Sequence, residues 1–292
     1  MNTVVINLRQ LRWLLLLLPL LLIFLFIQRY TTMRIEKEPL VPPETKNLYG
    51  EFYTWDEARK FFPKYSSATV IDMETRKQFN IQRRGGSSHA DVQPLTAEDT
   101  AIMKSIYGEK WSWKRRAVVI VLESGLRIAG SMNGMPHGQG GIADNKFNGH
   151  FCIHFRDSKT HGSGKVDLAH QMMVWKAAGV LPSQIKNLEP EDTIRLLFTA
   201  IDQNELKVAA RLLNDNQSAA SILELFKEYD YVRTYEIEEL TADSFEVSVL
   251  LGYQNGSKQY RQTIPVKIFK TESGWKIKGD TIALLLPKPD KQ

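Results

Sequence analysis

The chain has 292 residues, 43% apolar and 24% charged. That is the composition of a folded protein of one large or two ordinary domains, and it sets aside a disordered chain. A net charge of +5 is mild for this length and suits an anionic surface such as a membrane or cell wall. With no zinc-finger spacing, RNA-binding signature or dense basic block, nucleic acid is not an expected partner.

Residues 1–34 set the expected compartment. After Arg9 and Arg12 an apolar run extends from Trp13 to Ile27. As a helix it rises roughly 22 Å, against a hydrocarbon core of roughly 30 Å. Snorkelling Arg12 and Arg29, with Trp13 and Tyr30 at the interfaces, can make up the difference. "QRYTTMRIEKEP" offers no small-x-small cleavage site. The expectation is an uncleaved, single-pass membrane anchor rather than a cleaved signal peptide, with an extracytoplasmic body. Residues 35–47, with three prolines, read as an extended spacer.

From residue 48 to 182 the pattern is β-rich. "EFYTWDEARKFFPKY" predicts a short helix, and "ATVIDMETRKQFNIQRR" a hairpin turning at Glu74 to Lys77. "TAEDTAIMKSIYG" predicts a helix with Thr96 as N-cap and Gly108 as stop. "RAVVIVLESGLRIAGSMNG" predicts a second hairpin turning at Ser124–Gly125. An irregular Gly-rich stretch and a strand around Cys152 come next, then a helix opened by Asp167 and closed by Gly179. "WSWKRR", residues 111–116, reads as a turn into the strand "AVVIV", with a basic-aromatic surface as the other reading.

Residues 183–292 differ in pattern. "EPEDTIRLLFTAIDQNELKVAARLL" and "SAASILELFKEY" have helical spacing, and four alternating runs after Tyr231 predict an antiparallel meander with a turn at Asn255–Gly256. The whole is expected to be α+β. In element order this second part resembles the cystatin-like or nuclear-transport-factor-like cone domains. The resemblance implies a curved sheet acting as a spacer or protein-contact module.

The chemistry concentrates in "FNGHFCIHF", residues 147–155, which holds Cys152, the single cysteine. An intrachain disulfide is thereby ruled out, and an unpaired thiol in an exported protein is suspected of reactivity. In an extended strand His150, Cys152 and His154 share one face, and Phe151, Ile153 and Phe155 the other. Five of the six histidines fall between His137 and His170, a span of 34 residues that includes Cys152. A thiol beside an imidazole that can take its proton is the arrangement for covalent acyl transfer. "PHG" at His137 supplies a candidate base.

His137–Gly138, a Gly-rich gap, then "GHFCIHF" resembles the signature of the L,D-transpeptidase family of peptidoglycan cross-linking enzymes. That signature has a His-Gly pair followed, some fourteen to eighteen residues on, by Ser-His-Gly-Cys-hydrophobic-Arg. His137 lies 15 residues before Cys152, His150 matches the signature histidine and Ile153 the apolar residue. Gly149, Phe151 and His154 depart from it, standing where the family has Ser or Thr, Gly and Arg. The resemblance covers roughly residues 66–180. It implies a cysteine-dependent enzyme without a cofactor, acting on peptidoglycan stem peptides. Cys152 would be nucleophile, His137 base and His150 an orienting residue, supported by Gly138, His154 and the backbone at Phe151.

Two other readings stay open. "SSHAD" and "THGSGKVDLAH" offer His89, Asp91, His161, Asp167 and His170 as ligands for a zinc hydrolase of the same polymer. Against that, Asp167 also suits a helix N-cap, His170 that helix's first turn, and His89 a hydrogen bond within its loop. A non-catalytic wall-binding scaffold is the third.

Overall fold

The computed structural model describes residues 48–214, 221 and 223–285. The expected anchor and spacer lie outside the described residues. Among the described residues no helix is long and apolar enough to cross a membrane.

The first helix, α1 (Trp55–Phe61), opens on a capping box: Thr54 and Glu57 each satisfy the other's backbone N–H. Strands β1 (Ser67–Asp72) and β2 (Gln78–Gly85) then form the expected hairpin. Its turn is held by Asp72, which accepts from the backbone and hydroxyl of Thr75 at 2.8 and 2.7 Å. The same buried carboxylate takes a two-pronged contact from Arg116, at 2.7 and 2.8 Å. Strand β3 (Ala90–Pro94) follows, then α2 (Ala97–Ile106), opened by a Thr96–Asp99 capping box. Strands β4 (Arg116–Leu122) and β5 (Arg127–Met132) make the second hairpin. Its turn uses Gly125 at φ +83°. After a long excursion comes the short β6 (Phe151–His154).

These six strands close in the order β1-β2-β3-β6-β5-β4, and every neighbouring pair is antiparallel. Closure leaves no open sheet edge. One apolar core takes side chains from all six strands, among them Val70, Phe79, Val92, Ile120, Ile128 and Phe151, with Phe62 and Met103 also in it. Each large side chain fully buried there contributes about 1.5–3 kcal/mol relative to exposure.

Outside the barrel, α3 (Leu168–Ala178) begins at Asp167, whose side chain accepts from the His170 N–H, and ends at Gly179 with φ +73°. Helix α4 (Leu181–Lys186) was not anticipated from the sequence. The single helical run expected after Pro190 is two helices, α5 (Pro190–Asp202) and α6 (Leu206–Leu212). They are divided where Asn204 adopts φ +60°, a left-handed stop that Asn tolerates. Strands β7 (Tyr231–Thr241), β8 (Ser244–Tyr253), β9 (Lys258–Thr271) and β10 (Gly274–Ile277) make the antiparallel meander. A last short helix, α7, spans Asp280–Ala283. The architecture is a mixed α+β fold with a six-stranded barrel and a second, four-stranded sheet.

Ala117 and Ala129 of the barrel, Met172 and Val174 of α3, and Phe245, Val247 and Val249 of the second sheet share one continuous core. The boundary expected at 182/183 falls within α4, whose Leu181 and Ile185 belong to that core.

Candidate functional site

Strand β6 alternates as its sequence dictates. Phe151, Ile153 and Phe155 enter the barrel core, while Cys152 and His154 stay out of it. The other face is nevertheless covered, and Cys152 is only 3% exposed. The thiol therefore lies beneath side chains and is not on an open groove floor. Its register partner across the barrel wall is Asp91 of β3.

The covering segment is the excursion 133–150, in which His137 and His150 pair as an antiparallel bridge. Each N–H donates to the other's carbonyl, at 2.9 and 2.8 Å. Two glycines make this close pairing possible. A Cβ on Gly149, at φ +105°, would lie 2.4 Å from the His137 carbonyl oxygen. A Cβ on Gly138 would lie 2.4 Å from the His150 ring. Residue 149 is glycine for a local reason: no side chain fits there. Gln93 of β3, fully buried, braces the same loop. It donates to Gly149 O at 2.7 Å and accepts from the N–H groups of Gly141 and Ile142.

The His137 ring is oriented for proton transfer. Its Nδ1 lies 2.8 Å from the Met135 carbonyl, which can only accept, so Nδ1 carries the hydrogen. In the neutral ring Nε2 then offers its lone pair, 3.2 Å from Cys152 Sγ. The indole of Trp113, half exposed, tilts against this imidazole at 5.2 Å between centroids.

A second set of groups converges from β3 and the loop 157–167. Asp91 Oδ1 lies 3.2 Å from His89 Nε2, 3.2 Å from His161 Nε2, 3.7 Å from His150 Nε2 and 3.9 Å from Cys152 Sγ. The two Nε2 atoms of His89 and His161 are 2.8 Å apart. His89 Nδ1 donates to Lys159 O at 2.7 Å and His150 Nδ1 to Gln139 O at 3.0 Å. His150 Nε2 is buried with no hydrogen-bond partner. Two overlapping quartets could hold a metal ion: His137, His150, Cys152 and His161, or His89, Asp91, Cys152 and His161. In each, the ligand atoms lie within 4.8 Å of one another.

Burial sets the resting charges. Desolvation first, then the Asp91 charge, push the Cys152 thiol far up. Desolvation likewise lowers His137. Burial of Asp91 favours its neutral form, but contacts with His89, His150 and His161 outweigh it and bring the carboxyl down to about 2. The resting pair is accordingly a neutral thiol beside a neutral imidazole, next to a carboxylate.

The remaining sequence candidates lie elsewhere. Asp167 is the α3 N-cap and pairs with Arg115 at 3.0 Å. His170 Nδ1 meets Ser131 Oγ at 2.8 Å, and its ring stacks on His154 at 3.7 Å. His154 stacks in turn on His89 at 4.5 Å. Phe151 offers the site its backbone alone, since its side chain is core. Sequence reasoning missed Gln93 and the buried Asn133, whose side chain favours the ionised form of the thiol. "MNG" after a strand carries only a turn signal, so nothing in the sequence pointed Asn133 at Cys152. No protein-family model matches the chain, and no curated protein matches it.

Proposed function

We propose that the chain is a thiol acyl transferase of the L,D-transpeptidase type, acting on peptidoglycan stem peptides. The observation that carries the reading is His137 Nε2 at 3.2 Å from Cys152 Sγ, with Nδ1 tied to Met135 O. Sγ attacks the carbonyl carbon between the third residue and a terminal D-amino acid, while His137 Nε2 takes the thiol proton. The C–N bond breaks, the imidazolium returns that proton to the leaving amine, and a thioester on Cys152 remains. An acceptor amine or water, deprotonated by His137, releases the acyl group and restores the thiol.

Because both partners rest neutral, proton transfer accompanies attack and no thiolate is stored beforehand. His150 acts as a positioning residue: its backbone fixes His137 in the paired bridge. Its own N–H is engaged there, so the oxyanion would fall to backbone N–H groups near Phe151 and Cys152. The apolar run Trp13–Ile27 supports a membrane anchor with the body on the cell-wall side. Helices α5 and α6 with the meander β7–β10 fit a cone-like spacer or protein-contact module.

The test is to incubate the full chain, stripped with a chelator, with tetrapeptide-bearing muropeptides and to locate any adduct by mass. The adduct is expected on Cys152. Cys152→Ala should abolish it, and His137→Ala should slow its formation by roughly 100-fold or more. No adduct, or one indifferent to His137, overturns the reading.

A further inference from the structure

We infer that His89, Asp91 and His161 hold one zinc-class divalent ion with the Cys152 thiolate as fourth ligand. Ion binding and acyl transfer would then be alternative uses of one sulfur. The second half rests on the acyl-transfer reading; the ion site does not.

Geometry is the first support. Zinc bonds of roughly 2.0–2.3 Å to N, O and S, set tetrahedrally, separate ligand atoms by roughly 3.3–3.6 Å. The separations here are 2.8 Å for His89–His161, 3.2 Å for each histidine to Asp91 and 3.9 Å for Asp91 to sulfur. These four bracket the required value, and the two histidine–sulfur separations lie within 4.8 Å, so shifts of about an ångström complete the set. The second support is the outer hydrogen bond. His89 Nδ1–H donates to Lys159 O, the contact by which ligating histidines fix their tautomer.

The third is convergence. The Nε2 atoms of His89, His161 and His150 all close on Asp91 Oδ1, at 3.2, 3.2 and 3.7 Å, and His150 Nε2 is buried with no hydrogen-bond partner. A divalent cation can gather such donor atoms around one point. Charge also balances, because one carboxylate and one thiolate neutralise a divalent ion, and the thiol proton is released as it binds.

Donor identity chooses the ion. Two imidazoles, one carboxylate and one sulfur suit zinc and its neighbours, whereas calcium and magnesium require oxygen ligands. The alternative quartet would use His137, whose Nε2 already faces the thiol, and would leave the Asp91 charge uncompensated. His161, 53% exposed on its side chain, is the ligand that can swing away. Its loop can thus admit either an ion or a substrate to the sulfur.

Cobalt(II) titration of the full chain tests this without reference to turnover. The expected result is one ion per chain, with the near-ultraviolet band of a cobalt–thiolate bond. Cys152→Ser should lose the band. His161→Ala and Asp91→Asn should weaken binding by at least about 10–100-fold, which losing an outer partner alone can cost. Stoichiometric zinc should block both alkylation of Cys152 and adduct formation, and a chelator should restore them. No thiolate band, or a band of undiminished affinity in His161→Ala, overturns the ion site. Zinc that accelerates turnover overturns its opposition to acyl transfer. A cobalt–thiolate band in a protein that forms no adduct when stripped supports the ion site and removes the acyl-transfer reading alone.

Discussion

The six histidines of the chain divide into two groups that meet at His89, and the groups touch in different ways. His89, His154 and His170 form a buried column in which rings stack face to face, at 4.5 and 3.7 Å with both tilts 12°. His137, His150 and His161 surround Cys152 at steep ring angles, with nitrogens rather than ring faces converging. In the column an imidazole serves as a flat packing unit. Around the thiol it serves as a directed lone pair. His150, Cys152 and His154 alternate onto one face of the same strand register, so spacing cannot separate the two uses. What separates them is where each ring nitrogen points.

The sharpest way to break this comparison is to truncate one member of each group. His154→Ala leaves a void between two stacked rings and is expected to cost about 3 kcal/mol, as large-to-small core changes do. His161→Ala, at an exposed loop position, should change stability by no more than about 0.5 kcal/mol. Urea unfolding of the two variants measures both. Equal losses would mean that the column is not a packing unit.

Much of the frame was legible because it rests on local rules. Thr96 followed by Asp99 announced a capped helix, Ser124–Gly125 announced a hairpin, and the apolar alternation of Phe151, Ile153 and Phe155 announced which face of β6 is core. Strand β3 was not legible. Ala90–Pro94 is buried at four of five positions, because the barrel covers one face and the loop 133–150 lies over Gln93 on the other. The period-2 signal is thereby erased. Missing β3 hid the placement of His89 and Asp91 beside Cys152. The expected ligands Asp167 and His170 were grouped with them by proximity in sequence, but the start of α3 carries them to Arg115 and Ser131 instead.

Gly149→Ala sharpens the comparison from the other side. The new methyl would overlap the His137 carbonyl, and the backbone would be strained at φ +105°. A cost of about 1–3 kcal/mol is expected, with disruption confined to the His137–His150 bridge. Alkylation of Cys152 measured against pH should change, because the imidazole is displaced from the sulfur. The protection of α3 amides in hydrogen exchange, once corrected for global stability, should not. If α3 loosens as well, the two histidine groups act as one unit.

Acid titration gives the smallest and most specific contrast. Burial first, and then the Arg115 charge, hold His170 well below the ordinary histidine range. The folded ring therefore stays neutral where the unfolded ring takes up a proton, below about pH 6.5. The unfolded state binds more protons in that window, so this stability is complete above about pH 6.5 and declines as pH falls. The slope is at most about 1.4 kcal/mol per pH unit for one such group. His170→Gln, which cannot titrate, should flatten the decline between about pH 6.5 and pH 5 by up to that amount. Chemical denaturation at successive pH values reads the slope directly. A variant slope equal to that of the natural protein would mean that His170 charges in the folded state, and a stacked column of neutral rings could not then be maintained.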